Sequence, residues 1–476
     1  MKNNLLIFTF FLFMNALNAK VWNVGPSRAY QYCSQLAALV QPGDTVQIDY
    51  AIYQNDKQVL WTVDNLFLVG IGGRPRLEAG AIIANDASNG KGIFVISGAN
   101  VHVHNIEFAN AVVQSNNGAG IRQEGRNLWV TQCKFEANEM GILCGNIANC
   151  KTTIEYSEFL NGGSVANPGF QHNIYINHID TFVFRYNYTY NALAEGHELK
   201  SRANYNFILY NRIANETTID SRNIDLPNGG TALVMGNVIE QNQNSSNSNM
   251  LGYGLEGLTN TVPHKLYVIN NTFVNKKTTG SFINIANSTT LLFVKNNIFA
   301  GAKTGGLIIG SPTTLDSSNN AIADNLSVLK FKSPNIYDYH LQALSPAINQ
   351  GLAINTNVQG YSLNPGLEYE DSCGFSARIS DAKIDIGAYE YATSLNVKLE
   401  IINLFQVVPN PNNGRFSLIG NAPLESIEII NAVGQICFSQ NGFIYNKIEI
   451  EGLAKGVYTL CCKSNGQLQI LKIVVQ

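Results

Sequence analysis

The chain has 476 residues with a formal net charge of −3, and charged residues make up 14% of it, well below the roughly 25% of an ordinary globular protein. This balance argues against a general nucleic-acid binder, and the 23 Phe and 21 Tyr provide core material that a disordered chain lacks. After the N-terminus, no apolar stretch reaches the roughly 18 residues of a membrane-spanning helix, so we expect no transmembrane segment in the mature chain. The length predicts a long first domain and a small second one.

The N-terminus has the pattern of a secretory signal peptide. Lys2 supplies a positive charge, Leu5 to Met14 form an apolar run, and Ala19 is a small residue suited to cleavage. We assign residues 1–19 to the signal peptide and begin the fold at residue 20. A leader of this kind predicts a secreted or cell-surface protein.

An eight-residue pattern recurs through the middle of the chain, with starts 24 to 34 residues apart. Alternate positions within each copy are mostly apolar, which indicates strands. Five successive copies carry Asn at the sixth position, and amides stacked at strand spacing can form a hydrogen-bonded ladder. A unit of this length cannot bury its own apolar face, so the units must stack. The copies are 101–108, 128–135, 152–159, 182–189, 206–213, 232–239, 266–273 and 292–299.

These features predict an all-β, right-handed parallel β-helix, and a β-propeller with its longer blade repeat of roughly 40 residues is the alternative. Residues 30–40 predict a short amphipathic helix that caps the open end. That beginning, the Asn ladder, and the closing segments 344–351 and 385–391 resemble bacterial pectate-lyase-like β-helix proteins. The resemblance covers residues 22–391 and implies a β-helix domain over residues 20–391.

A different pattern begins after a predicted linker at residues 392–404. Segments 408–416, 427–434 and 452–460 follow one another and end in Lys-Ile-Val-Val-Gln. They resemble the type A C-terminal sorting domain of type IX secretion cargo. The resemblance implies a small β-sandwich over residues 405–476, the type IX secretion machinery as a partner, and release from or attachment to the cell surface. A carbohydrate-binding or adhesion sandwich is the alternative.

Eight cysteines are spread along the chain without the spacing of a zinc site. In an oxidising compartment, Cys144 and Cys150 are close enough in sequence to form a disulfide across a turn. Buried free thiols are the alternative.

The most polar and least repetitive stretch is 166–226, in which segments 172–176, 197–201 and 222–226 align at intervals of 25 residues. If the middle residue of each segment points inward, the residues on either side of it point to solvent. Arg202 continues the outward alternation. The two predicted outward columns are Asn173, Glu198 and Asn223, and Tyr175, Lys200 and Asp225.

Segment 196–203, with the sequence Gly-His-Glu-Leu-Lys-Ser-Arg-Ala, is the sharpest local motif. It resembles a Gly-His-x-x-Lys-Ser-Arg segment of many secreted β-helix proteins that are assigned as lyases. Segments 225–230 and 253–257 also match that group, so the resemblance implies a shared surface. We therefore expect the chain to depolymerise a uronate-containing polysaccharide by β-elimination.

β-Elimination needs a cation for the uronate carboxylate, a base for the C5 proton and an acid for the leaving oxygen. Lys200 would be the base, Arg202 or Arg222 would bind the carboxylate, and Tyr175 or His197 would be the acid. Asp225, Glu198 and Glu256 would orient these groups or hold Ca²⁺. The catalytic candidates are Lys200, Arg202 and His197, and the substrate-binding candidates are Tyr175, Asn173, Glu198, Arg222, Asp225, His172, Tyr253 and Glu256.

The charge count keeps other functions open. Residues 181–226 hold five basic and five acidic side chains, which is a mixed surface and not a basic funnel for a polyanion. An inverting hydrolase would use Glu198 and Asp225, expected roughly 8 Å apart on adjacent rungs. A non-enzymatic glycan-binding adhesin and a purely structural ladder of surface charges are further alternatives, among which the fold alone does not decide.

Overall fold

The computed structural model describes residues 19–86, 90–371, 373–379, 383–391, 405–420, 424–431, 435–444, 447–464 and 467–476. The chain divides between Tyr391 and Ala392 into two compact units. Apart from Ala19, the predicted signal peptide lies outside the described residues, and so does the predicted linker.

The first unit is a solenoid in which successive turns of the chain add strands to three parallel sheets. The twelve strands of the first sheet are Val21–Val24, Thr45–Asp49, Phe67–Ile71, Val101–His104, Leu128–Thr131, Lys151–Glu155, Thr181–Arg185, Tyr205–Leu209, Thr231–Met235, Lys265–Ile269, Leu291–Lys295 and Thr314–Ser318. The eleven of the second sheet are Ile52–Gln54, Arg76–Glu78, Glu107–Ala109, Lys134–Glu136, Glu158–Leu160, Tyr188–Tyr190, Arg212–Ala214, Val238–Gln241, Thr272–Asn275, Ile298–Gly301 and Ala321–Ala323. The ten of the third sheet are Val59–Trp61, Gly92–Ile96, Ala119–Gln123, Met140–Cys144, Ile174–Ile176, Leu199–Ser201, Ile224–Leu226, Asn249–Tyr253, Ser281–Ile285 and Ile308–Ile309.

The eight-residue repeat forms two short strands joined by a tight turn, whereas its sequence pattern predicted one continuous strand. Its fifth residue adopts left-handed backbone dihedrals, as at Tyr186 with φ of 60° and Asn270 with φ of 49°. This conformation ends the extended strand of the first sheet and directs the chain into the second sheet. The repeat therefore marks the corner between these two sheets.

The predicted Asn ladder is confirmed at this corner. The side-chain amide of Asn237 donates to Oδ1 of Asn271 at 2.9 Å, and Asn271 donates to Asn297 at 3.0 Å. Each Oδ1 also accepts the backbone N–H of the Asn one turn earlier, at 2.9 Å for both pairs. Because these amides are fully buried, the ladder provides hydrogen-bond partners for polar groups that would otherwise be unsatisfied at the turn.

Stacked apolar side chains fill the solenoid. The rings of Phe108, Phe135 and Phe159 lie parallel on successive turns, with centroids 5.1 and 4.6 Å apart. Each turn buries its apolar side chains against its neighbours, as the spacing of the repeat requires. The fold class, an all-β parallel β-helix, is the one that the sequence predicts, and the propeller alternative is excluded.

The predicted capping helix at residues 30–40 is wrong as a continuous helix. Only Cys33–Gln35 forms a 3-10 turn, although Cys33, Leu36 and Val40 are buried in the solenoid core. The apolar spacing thus identified a cap, but a segment this short gains little from helix formation alone. The other short helices are the α-helix Ala81–Ala84 and the 3-10 turns Leu326–Leu329 and Pro334–Ile336.

The described residues between 326 and 391 fold back along the solenoid and cover the outer faces of the first and second sheets. Leu329 and Phe331 pack in one cluster with second-sheet residues, and Ile354 and Leu363 pack in another with first-sheet residues. The backbone N–H of Gly387 also donates to the carbonyl of Asn296 at 2.8 Å. The antiparallel pairs of this segment are Phe331–Ser333 with Asp338–Leu341, Asn357–Val358 with Tyr361–Ser362, and Leu367–Glu370 with Gly374–Ala377.

The second unit contains two small antiparallel sheets around a core that includes Ile427, Leu460 and Ile473, an arrangement compatible with a β-sandwich. One sheet contains Phe405–Val408, Arg415–Gly420 and Lys447–Glu451, and the other contains Ile436–Ile444, Leu424–Asn431, Gly456–Ser464 and Gln467–Val475. Across the described parts of both units, no helix has the length and apolar character to cross a membrane.

All eight cysteines are free thiols, so of the two alternatives for Cys144 and Cys150 the structure has free thiols and not the disulfide. Each sulfur has a different polar neighbour: Cys144 Sγ donates to the carbonyl of Gly145 at 3.4 Å, and Cys150 Sγ accepts from Gln123 at 3.3 Å. Burial raises the pKa of both thiols, which disfavours the thiolate needed for disulfide exchange.

Candidate functional site

One of the two predicted outward columns lies on the outer face of the third sheet. Tyr175 pairs with Lys200, and Lys200 pairs with Asp225 on the next turn. Asp225 then pairs with Gly252, where a Cβ atom would lie 2.9 Å from both Arg222 Cδ and Asp225 Oδ1. The glycine therefore leaves room for these two charged side chains to meet over the sheet.

The second predicted column does not face solvent. Asn173, Glu198 and Asn223 are at most 1% exposed. Oε2 of Glu198 accepts a hydrogen bond from the Asn173 amide at 2.6 Å, and its Oε1 accepts the backbone N–H of Ala192 at 2.7 Å. Each of these residues lies just before a three-residue strand of the third sheet, in the turn that follows the second sheet. The alternation of inward and outward side chains that holds within a strand does not apply there.

The burial of Glu198 removes the geometry expected for an inverting carboxylate pair. Burial, together with the nearby Asp220 carboxylate, raises the pKa of Glu198 well above its ordinary value. Burial also raises the pKa of Asp220 to about 7. Since Glu198 is 0% exposed, it does not share an accessible face with Asp225.

His172 and His197 stack on successive turns just before the third-sheet strands, with ring centroids 4.9 Å apart. Nδ1 of His172 accepts the N–H of His197 at 3.0 Å, and Nδ1 of His197 accepts the N–H of Arg222 at 3.1 Å. Both rings therefore carry their proton on Nε2 when neutral. Burial and nearby charged groups lower the pKa of both rings well below the ordinary value.

This neutral state changes the expectation for His197. Its Nε2 lies 3.6 Å from Oδ2 of Asp225, and its side chain is 8% exposed. A ring that stays neutral near pH 7 is poorly suited to donate a proton to a leaving group. The geometry instead places the His197 ring next to the Asp225 carboxylate.

Three cations and two carboxylates form an ion cluster on the outer face. Lys200 Nζ lies 2.8 Å from Glu256 Oε1 and 3.5 Å from Asp225 Oδ2. Arg202 Nη2 lies 2.6 Å from Glu256 Oε2, and Arg222 Nη1 lies 3.3 Å from Asp225 Oδ1. The sequence-predicted candidates Lys200, Arg202, Arg222, Asp225 and Glu256 are thus brought together.

The two carboxylates of this cluster have different environments. The side chain of Asp225 is 2% exposed and that of Glu256 is 46% exposed. Burial raises the pKa of Asp225, although Lys200 and Arg222 oppose the shift. Partial burial alone would raise the pKa of Glu256, but hydrogen bonds from Lys200 and Arg202 lower it to about 2. Glu256 is therefore an ionised carboxylate that a ligand can reach.

Polar neighbours fix the orientation of the arginines. Arg202 Nε donates to Tyr175 Oη at 2.9 Å, and its Nη1 donates to Asn228 Oδ1 at 2.5 Å. Arg222 Nε donates to Asn249 Oδ1 at 2.6 Å. Sequence reasoning did not select Asn228 or Asn249, although Asn228 lies in the matched segment 225–230.

Tyr253 is not part of this surface. Its ring is 0% exposed in the solenoid core, and its hydroxyl donates to the carbonyl of Gly230. Tyr253 pairs with Leu226 across the sheet, so it has the inward orientation of that strand position.

The residues expected to hold Ca²⁺ do not fit such an ion. Calcium takes six to eight oxygen ligands, but Glu198 is buried away from the face and the Asp225 and Glu256 carboxylates are held by cations. Within the described ranges, no group of three or more His, Cys, Asp or Glu residues could hold a metal ion.

Residues 406–476 match the family model of the secretion system C-terminal sorting domain. The second unit is a sorting domain. This match points to export by the type IX secretion machinery and to a secreted or cell-surface location. No curated protein matches the chain.

Among solved structures, pectate lyase Pel9A aligns with a TM-score of 0.51 and 12% identity over 79% of this chain and 98% of its own length. The solenoid thus has a pectate-lyase-like fold. A pectin methylesterase mutant in complex with a hexasaccharide aligns with a TM-score of 0.32 and 11% identity over 48% of this chain and 80% of its own. ORF18 of Geobacillus virus E2 aligns with a TM-score of 0.34 and 13% identity over 90% and 68%. The last two matches do not bear on function.

Proposed function

We propose that the solenoid binds a uronate-containing polysaccharide at the outer face of its third sheet and cleaves it by β-elimination. The observation that supports this most directly is how the site holds Glu256. The two oxygens of this carboxylate meet two different cations, Lys200 at 2.8 Å and Arg202 at 2.6 Å. A uronate carboxylate presents the same two oxygens, so the site is shaped for the charged group of such a sugar.

The proposed reaction uses side chains that lie within one patch. Arg202 binds the uronate carboxylate, and neutralising that charge acidifies the C5 proton. Lys200 acts as the base: after its ammonium has released a proton to solvent, the free amine takes the C5 proton, and the electron pair forms the C4–C5 double bond as the C4–O bond breaks. The hydroxyl of Tyr175, 2.9 Å from Arg202 Nε, protonates the leaving oxygen.

Asp225 and His197 have positioning roles in this scheme. The buried Asp225 carboxylate lies between Lys200 and Arg222, at 3.5 and 3.3 Å, and His197 stands behind it at 3.6 Å. The ion pairs with this buried carboxylate hold the Lys200 and Arg222 side chains at the outer face of the third sheet. The hydrolase alternative loses its expected pair, because Glu198 is enclosed.

The test is to incubate the full chain with a panel of acidic polysaccharides and follow the ultraviolet absorbance of the unsaturated uronate product. We expect absorbance to rise with one substrate class and the rise to disappear in Lys200→Ala. Lys200→Arg keeps the positive charge, but a guanidinium gives up its proton far less readily than an ammonium, so it should retain binding and lose turnover. Lys303→Ala removes another ion-paired lysine, which contacts the exposed Asp324, and should behave as wild type.

Each other outcome has a defined meaning. New reducing ends without absorbance would replace elimination by hydrolysis. Glycan binding without either product would make the protein an adhesin. Absorbance that persists in Lys200→Ala would keep the lyase but remove Lys200 as its base.

A further inference from the structure

A polar groove of about 290 Å³ lies beside the ion cluster, beyond the carboxyl ends of the third-sheet strands. Its size is close to the roughly 300 Å³ at which small-molecule sites begin. The side chains that give it its polar character are Asn146, Asn149, His178, Asp180, Asn204 and Thr261.

A short chain of hydrogen bonds connects this groove to the proposed reaction site. Arg202 Nη1 donates to Asn228 Oδ1 at 2.5 Å, and Asn228 Nδ2 donates to Thr259 Oγ1 at 2.7 Å. Thr259 also lines the groove, as does Asn204, which follows Arg202 by two residues. The groove therefore adjoins Arg202, within reach of a polymer bound there.

The wall of the groove is firmly built. Asn260 is 8% exposed, and its amide donates to the carbonyls of Ala203 at 2.9 Å and Gly229 at 2.8 Å. The backbone N–H groups of Thr259 and Asn260 both donate to the Asn228 carbonyl at 3.2 Å. Residues 259–260 are therefore bonded to two turns of the solenoid, and the wall of the groove is formed without a bound ligand.

The chemistry of the groove differs from that of the ion cluster. None of the residues that line it is Lys or Arg, and Asp180 is its one carboxylate. A second uronate placed here would find no cation and would meet a like charge. The side chains of Asn146, Asn149 and His178 make no hydrogen bond with other described residues, so their polar groups are available to the hydroxyls of a sugar.

We infer that this groove is a subsite for a neutral sugar unit next to the uronate that is cleaved. The substrate is then a heteropolysaccharide in which uronates neighbour neutral sugars, and a polymer of uronates alone is disfavoured. This inference rests on the proposed function, because the groove is defined relative to the uronate bound at Arg202.

The test compares two oligosaccharides of equal length by calorimetric titration against full-chain Lys200→Arg, which we expect to bind without turnover. One alternates uronate with neutral hexose, and the other contains uronate alone. Two or more additional hydrogen bonds at the groove should make the alternating oligomer bind about tenfold tighter. Adding Asn146→Lys places a cation in the groove and should remove or reverse this preference. Asn335→Lys adds the same charge in the exposed 3-10 turn Pro334–Ile336 and should leave it unchanged.

Equal or weaker binding of the alternating oligomer, no binding of either oligomer, or equal effects of Asn146→Lys and Asn335→Lys would overturn the subsite. The separate absorbance assay with the wild-type chain shows whether elimination occurs. A lyase that prefers the uronate polymer would thus refute the groove and keep the proposed function. A binding preference without product would do the opposite.

Discussion

Replacing Glu256 by Gln tests how the ion cluster receives its substrate. In the structure the Glu256 carboxylate occupies Lys200 and Arg202, at 2.8 and 2.6 Å. A uronate must displace this carboxylate before it can bind the same cations. Gln keeps the size of the side chain but removes its charge, so the site should become easier to enter.

The size of the effect follows from the exposure of Glu256. Its side chain is 46% exposed, so each of its two ion pairs is worth about 0.2–1 kcal/mol, as measured for exposed pairs, and not the value of a buried bridge. Removing both lowers the cost of displacement by about 0.5–2 kcal/mol. KM should therefore fall by about two- to thirtyfold, and the difference should shrink at high salt.

The assay is the initial rate of absorbance increase as a function of substrate concentration, at low and high ionic strength. Glu370→Gln removes another exposed carboxylate, at the end of the hairpin strand Leu367–Glu370, and serves as the matched control. We expect kcat to stay within about twofold of wild type, because Glu256 takes no part in the proposed proton transfers. A higher KM, or a large loss of kcat, would show that Glu256 binds or reacts with the substrate and would refute this reasoning.

Three further predictions concern stability and export. Asn237→Ala leaves buried polar groups on both sides of it in the ladder without partners, at about 1–3 kcal/mol each, so the urea midpoint of unfolding should fall clearly. Asn320→Ala, at the half-buried end of the ladder, should lower the midpoint less, and equal shifts would contradict the ladder's role. Because burial raises the pKa of Asp220 to about 7 and that of Glu198 well above its ordinary value, the native state holds protons that the unfolded chain releases above about pH 4. Stability should therefore fall as pH rises from about 4 to 7. Asp220→Asn should weaken the dependence of the melting temperature on pH over that range, and an unchanged dependence would show that Asp220 and Glu198 do not titrate there. Deleting residues 405–476 should leave the melting transition of the solenoid in place and abolish export from a host with type IX machinery, and truncated chain in the medium would argue against the sorting role.

The solenoid could be predicted from sequence because its order is repetitive. Five Asn residues at one repeat position recur every 24 to 34 residues, and four of them are followed two positions later by an apolar residue. Only stacking in register brings these residues together, as the contacts between Asn237, Asn271 and Asn297 show. Asn or Gly stands at the fifth position in only four of the eight copies. The pattern did not reveal the bend there, because Tyr186 and Tyr210 adopt positive φ at the same position without the residue types that usually signal it.

The site was predicted in part for the same reason. The spacing of 25 residues aligned Tyr175, Lys200 and Asp225, and the strand register has the same alignment. It failed for Asn173 and Glu198, because strands of three residues are too short to impose their alternation on the residue before them. These polar side chains lie inside because they provide hydrogen-bond donors and acceptors for buried groups of the turn.

By itself the sequence determined the repeating architecture, the column of Tyr175, Lys200 and Asp225, and the character of the C-terminal unit, because each depends on local patterns that recur or match as a block. Only the tertiary structure decided that Glu256, 56 residues after Lys200 in the chain, closes the ion cluster. It also decided that residues 326–391 cover the first and second sheets and that an amide-lined groove adjoins Arg202. Contacts of this kind depend on where non-repeating loops return to the solenoid, and no period in the sequence encodes that position.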